Sequence, residues 1–189
     1  MKNLSKVLDN PILIAYNRTM KEEMKGLFAL RIRDFRLPRY RELPNVGLYL
    51  EQVTKYVNGV MAPLGCPEIT PSMVSNYVKK GVIKAPVKKQ YDAEQLAYLI
   101  FISLGKSVLS LENIMQLFTM QKSTYPPETA YDYFCSEFEN ILAYVAGLKE
   151  QMDQIGVTDS REKDLLRSAI IAAAHILFVS SCFTELKND

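Results

Sequence analysis

The sequence has one histidine, His175, and three cysteines, Cys66, Cys135 and Cys182, with no CxxC spacing among them. That inventory leaves little from which to assemble a histidine-rich metal site, and an odd number of thiols fits reduced, small core residues better than a disulfide framework. His175 lies within AAAHILF, so its apolar neighbours predict an interior, hydrogen-bonded ring rather than a ligand or general base. There is no Gly-rich phosphate loop, nucleophile elbow or metal quartet. The carboxylate pairs Glu137 with Glu139, and Glu150 with Asp153, read as surface positions on helices. The expectation is therefore a protein that is not an enzyme and needs no cofactor.

Long apolar runs are also missing. The longest, AIIAAAHILFV, is about half the roughly 20 residues that span a bilayer. The first apolar patch, in MKNLSKVLDNPILIAY, is interrupted by Asp9, Asn10 and Pro11 and has no convincing cleavage site. A cytoplasmic protein with no membrane partner is expected.

What is present is an ordinary globular mixture: 189 residues, 48% apolar and 23% charged, enough for one compact domain or two small ones. Gly and Pro gather at joints, namely PNVG, APLGCP, GVIKAP, YPP and IGVTDS, and between them the apolar residues follow a helical period. The fold class is mainly α. Residues 17–34 form a basic amphipathic candidate through Met20, Met24, Leu27, Phe28 and Ile32, and RDFRLPRYREL breaks at Pro38. From Gly47 to about Val60, Leu50, Val53, Val57 and Val60 make one stripe.

The formal net charge is only +2, yet five lysines fall between Ile69 and Leu96, and no acid lies between Glu68 and Asp92. Thr70 followed by Pro71 is a helix start, and Gly81 is a stop. The short helix between them has an apolar face of Met73, Val74, Tyr77 and Val78 opposite Ser72, Ser75, Asn76 and Lys79. VIKAPVKKQY then suits a small hairpin or wing. Asp92 caps AEQLAYLIFISLG, and Ser110 caps LENIMQLFTM.

An exposed helix carrying Ser, Asn and Lys has the groups that read a major groove, because an amide can hydrogen-bond adenine twice and lysine reaches guanine or phosphate. Lys80, Lys84, Lys88 and Lys89 can neutralise backbone phosphates around it. The competing reading is a solvated polar face, since lysines in loops commonly have no partner. The coupling of stripe, capped helix and wing in one block favours nucleic acid.

Residues 70–118 resemble the winged helix-turn-helix of the MerR family of regulators in the helix ending KKGVI, the wing closing at a tyrosine, YDAEQL opening a helix, and SLENIMQLF after it. The wing is short and lacks the Gly-Tyr-Arg phrase of that family, and the joint VMAPLGCPEI is long for such a motif. The stretch from about Leu37 to Phe118 resembles a bacterial family called domain of unknown function eighteen-thirty-six, through LPRYRELP, LYLEQV, ITPSMVSNYVKKGVI, KKQYDAEQLAYLI and SVLSLENI. The resemblance implies a DNA-binding regulator.

Beyond it, Tyr131, Phe134, Cys135, Phe138, Ile141, Leu142, Val145 and Leu148 form one long stripe. The segment from Ser160 to Lys187 begins polar and becomes apolar nearly all round, which predicts burial on several sides. Such a helix pair serves dimerisation or effector sensing, or else completes the monomer's core. A pocket near Phe134, Phe138, His175 and Phe178 is the effector candidate, with core packing as its competitor.

The expected organisation is a helical extension at 1–36, a winged helix-turn-helix at 37–122 and a C-terminal helical dimerisation or effector region at 123–189. Thr70 to Lys80 is the recognition helix and Lys84 to Tyr91 the wing. The DNA-contacting set is Thr70, Ser72, Ser75, Asn76, Lys79, Lys80, Lys84, Lys88, Lys89 and Tyr91. The expected function is sequence-specific transcription regulation, as a homodimeric repressor on a palindromic operator in double-stranded DNA, with a small-molecule or protein effector as a further partner. The alternative is a helical protein-interaction adaptor with a basic patch.

Overall fold

A computed structural model of the protein describes residues 25–156 and 160–187. Among these residues the chain is mainly α, with seven helices: α1 over 25–32, α2 Leu50–Met61, α3 Pro71–Lys79, α4 Ala93–Gly105, α5 Leu111–Thr124, α6 Pro127–Val145 and α7 Arg161–Glu185. The only β pairing among them consists of two isolated bridges, Leu48 with Tyr91 and Val87 with Gln90. Of the basic amphipathic candidate, Met20 and Met24 lie outside the described residues. Phe28 and Ile32 are buried, and Leu27 is exposed.

Side chains set the helix starts. Asp92 accepts the Gln95 amide at 2.9 Å while the Gln95 side chain accepts the Asp92 amide at 2.8 Å, a reciprocal capping box that opens α4. Ser110 accepts from the Asn113 amide at 3.1 Å, and Ser160 from the Lys163 amide at 3.3 Å. Every residue of α4 from Gln95 to Gly105 except Phe101 is buried. α4 touches α2 on one side and α6 and α7 on others, so one hydrophobic cluster runs from Phe28 through Val53, Val74 and Leu99 to Leu177.

The carboxylates expected at the surface of α6 are structural. Glu137 is fully buried, and its oxygens accept from Arg167 at 2.8 and 3.1 Å and from the Tyr133 hydroxyl at 2.9 Å. Glu139 accepts both arms of the Arg39 guanidinium at 2.7 Å and the Leu37 amide at 2.9 Å. Helical periodicity misplaces them because α6 is covered on more than one side. Burial pushes the Cys135 thiol up to about 12 and Cys66 up to about 11, as inert core thiols require.

α7 departs furthest from expectation. Ile170, Ala173, Ala174, Leu177 and Ser181 are buried, but Leu165, Ile176, Val179, Phe183 and Leu186 are 38 to 62% exposed. The described chain covers only one side of this helix, largely with α6. His175 falls on the open side, where Nδ1 lies 2.8 Å from the Ile171 carbonyl oxygen; its ring is satisfied by its own helix and is not interior. By length and composition alone α7 could cross a membrane. Phe134 and Phe138 stack with centroids 6.1 Å apart, but Phe178 packs edge-on against Phe28 at 5.6 Å and His175 is exposed, so the four residues of the expected effector pocket do not line one cavity.

Removing one partner of a buried pair leaves the other charge uncompensated. Arg167→Met should therefore destabilise the fold by about 3 to 5 kcal/mol, because it strands a buried Glu137 carboxylate. Urea unfolding followed by circular dichroism checks this; a loss below about 1 kcal/mol would show that the pair contributes little.

Candidate nucleic-acid interface

The long joint between α2 and α3 is held by one side chain. α2 tightens into a 3-10 turn at Ala62–Leu64, and Gly65 takes the left-handed conformation at φ +67°. Asn58 then reaches across: its Nδ2 donates to the Ile69 carbonyl at 3.0 Å, and its Oδ1 accepts the Ile69 amide at 2.9 Å. This mimics a strand pair and fixes the backbone next to Thr70. The sequence reading passed over Asn58, although an amide in the third turn of an otherwise apolar-striped helix was a visible signal.

α3 begins as the sequence predicts. Thr70 is the cap, with Oγ1 accepting the Met73 amide at 3.2 Å and lying 3.0 Å from Ser72 Oγ. Val74 and Tyr77 are buried, and Met73 and Val78 are half-buried against the core. On the opposite side Ser72, Ser75, Asn76, Lys79 and Lys80 are all exposed. Gly81, at φ +71°, ends the helix, and the Val82 amide donates back to the Tyr77 carbonyl at 2.9 Å.

The hairpin is closed by one residue pair. The Val87 amide donates to Gln90 at 3.1 Å and the Gln90 amide to Val87 at 2.9 Å, so Lys88 and Lys89 form a two-residue loop. Both lysines are left-handed, at φ +50° and +64°, as a type I′ turn requires. Neither is the Gly or Asn that such a turn favours, so roughly 1 to 2 kcal/mol of strain per residue is carried at the tip. Tyr91 exchanges hydrogen bonds with Leu48 at 2.8 and 3.0 Å, and a Cβ on the neighbouring Gly47 would stand 2.7 Å from Gln90. That position admits only glycine without movement.

Two of the ten candidate contacts are placed differently from expectation. Tyr91 is 4% exposed, and its ring anchors the hairpin in the core, so it presents no surface to a nucleic acid. Lys84 is exposed but its ammonium lies 3.0 Å from Glu94, and its carbonyl accepts from Gln95 at 2.8 Å. Thr70 is exposed and serves the backbone as a cap. Ser72, Ser75, Asn76, Lys79, Lys80, Lys88 and Lys89 stay at the surface, and among the described residues none of these four lysines makes an ion pair.

Residues 38–134, just over half of the chain, match the family model described as Domain of unknown function (DUF1836). The chain belongs to this family. The matched span takes in the joint, α3, the hairpin, α4, α5 and the first turns of α6, so the DUF1836 region contains the whole basic block together with the helices that bury its inner face. Neither the curated proteins nor the solved structures contain a significant match.

Because Asn58 is structural and Asn76 is not, the same substitution should separate them. Asn58→Ala should destabilise the protein by about 1 to 3 kcal/mol through two lost backbone hydrogen bonds. Asn76→Ala should stay within about 0.5 kcal/mol of wild type. Thermal and urea unfolding of the two variants side by side reads the difference.

Proposed function

We propose that this protein is a sequence-reading DNA-binding regulator, in which residues 37–122 act as a MerR-like winged helix-turn-helix with α3 as the recognition helix. The observation that carries the reading is the two-sidedness of α3. Val74 and Tyr77 fix it to the core while two hydroxyls, one amide and an ammonium face outward on a rigid, capped helix. Asn76 supplies base recognition, and Lys79, Lys80, Lys88 and Lys89 supply phosphate contacts. Strain at a loop tip is commonly retained where function requires it, which fits two left-handed lysines held at the end of a wing.

Fluorescence anisotropy on DNA from upstream of the protein's own gene, across a salt series, tests this. Asn76→Ala should weaken binding by about 1 to 3 kcal/mol and relax discrimination at one base position. The double variant Lys88→Asn, Lys89→Gly should lower the salt slope by about 2 and make the fold more stable by about 1 kcal/mol, since it places a favoured pair in the turn. Equal, weak binding to every sequence by wild type and Asn76→Ala alike would point instead to an adaptor whose basic patch contacts an acidic protein.

The regulator is proposed to act as a homodimer. Leu165, Ala172, Ile176, Val179, Phe183 and Leu186 are exposed along α7 at successive spacings of seven, four, three, four and three. That is the seam of a coiled coil, and a second copy of the same helix matches it in length and period. Two heads joined this way would read half-sites about 34 to 36 Å apart. Light scattering should give a dimer for wild type and a monomer for Phe183→Glu, which should also bind DNA at least about tenfold more weakly. A monomeric wild type, with and without DNA, overturns this arrangement.

A further inference from the structure

A cavity of about 180 Å³ is bounded by α4, α5, α6 and the first turns of α7. Its walls are Ala97, Phe101, Leu117, Phe118, Ala130 and Phe134, and Leu166 closes one side. Drug-sized ligands occupy cavities of roughly 300 to 1,000 Å³, whereas an apolar cavity of about 150 Å³ holds benzene. Lipids and large effectors are therefore too big for this space. A molecule of one or two fused rings fits, and the surrounding aromatic faces suit a flat ring: Tyr98 and Phe118 have centroids 4.4 Å apart, Phe101 and Phe118 5.4 Å, and Phe101 and Phe134 5.0 Å.

One edge is polar. The Tyr98 hydroxyl donates to Gln121 Oε1 at 3.0 Å, and Gln121 in turn donates to the Tyr125 carbonyl at 2.7 Å. Three charged side chains also line the cavity: the Glu94 carboxylate is taken by Lys84 at 3.0 Å, the Lys163 ammonium lies over the Tyr133 ring 5.1 Å from its centroid, and Glu162 stands in the first turn of α7. The walls are otherwise mostly apolar and aromatic, which suits a neutral ring with one hydrogen-bonding group. The same Glu94 gives the cavity a route to the wing. α4 offers Ala97, Tyr98 and Phe101 to the cavity, while its first turn holds the wing's root through Glu94 to the Lys84 ammonium and Gln95 to the Lys84 carbonyl.

We propose that this cavity binds a small neutral aromatic molecule, and that its occupancy is passed to the wing through the first turn of α4 and the Lys84–Glu94 contact. The site stands on its own geometry; only its regulatory meaning rests on the DNA-binding reading. Ring insertion beside Tyr98 and Phe101 changes the packing of the α4 face, and the Glu94 and Gln95 side chains carry that change to Lys84. The wing's two strained lysines lie within five residues of that point.

Indole is the probe, and the full chain is the receptor. The protein has no tryptophan, so indole emission excited beyond the tyrosine absorption band reports the ligand alone. Titration should give a blue shift that saturates at one equivalent, with a dissociation constant on the order of 100 µM. Ala97→Leu and Ala130→Leu add bulk from opposite walls; each should weaken binding at least about tenfold in a protein that circular dichroism shows to be folded. Emission that stays linear, or saturation retained in both folded variants, overturns the site. In the isotope-labelled full chain, saturating indole should shift the backbone amides of Lys84, Lys88 and Lys89 in wild type and not in Glu94→Gln. Unmoved amides in the saturated wild type overturn the coupling. Neither readout uses DNA, so a failure of the DNA-binding reading is seen separately in the anisotropy experiment.

Discussion

The burial of α4 on nearly every side is the constraint on which the remaining structure depends. A helix with Leu96, Leu99, Ile100 and Ile102 at or near zero exposure cannot exist without neighbours on all its faces. α2 supplies one, α6 and α7 others, and Phe118 of α5 another through the Tyr98 and Phe101 rings. The part carrying α3 and its hairpin and the C-terminal helices are consequently not two bodies joined by a linker. They share a helix, and a change in packing on one of its faces is felt on the opposite one because cores of this density deform little.

Around that helix, acids and arginines act as fasteners. Glu139 gathers the Arg39 guanidinium and the Leu37 amide, and Asp132 accepts the Tyr40 amide at 2.7 Å, so α6 holds the segment that opens the family region, with its 3-10 turn at Tyr40–Glu42. Glu137 and Arg167 join α6 to α7 in the same manner. Glu139 and Glu137 both meet arginine: Arg39 presents both terminal nitrogens to Glu139, whereas Arg167 reaches both Glu137 oxygens through one nitrogen. The exposed face of α3 and the hairpin tip carry lysine instead. Bidentate geometry holds parts in register, whereas the lysines are point charges on flexible stems.

Much of this was legible beforehand. Capping residues are local signals, so Thr70, Asp92 and Ser110 mark helix starts that the structure reproduces to the residue. The two-faced character of α3 follows from spacing alone. What was not legible depends on distant neighbours. Glu137 and Glu139 look like surface acids because their partners, Arg167 and Arg39, are remote in sequence. Tyr91 looks like a DNA contact at the close of a wing because a tyrosine among lysines gives no hint that Leu48 pairs with its backbone. On α7, composition counted the apolar residues correctly, but only the tertiary structure divides them into a buried stripe and an open seam.

The same division explains how a chain of formal charge +2 can present a basic surface. Its positive character does not come from a surplus of cations. Glu42, Glu128, Glu137 and Glu139 are each engaged by an arginine, and Glu94 by Lys84, at distances between 2.7 and 3.0 Å. Acids spent in this way cannot screen a lysine elsewhere, so the stretch from Ile69 to Tyr91, which contains no acid of its own, keeps its local field within a Debye length of about 8 to 10 Å. An anion near α3 meets that field, not the average over the molecule. The exception sits at the wing's root, where Glu94 neutralises Lys84. That pair stands on α4 at the edge of the cavity, whose lining includes Glu94 itself.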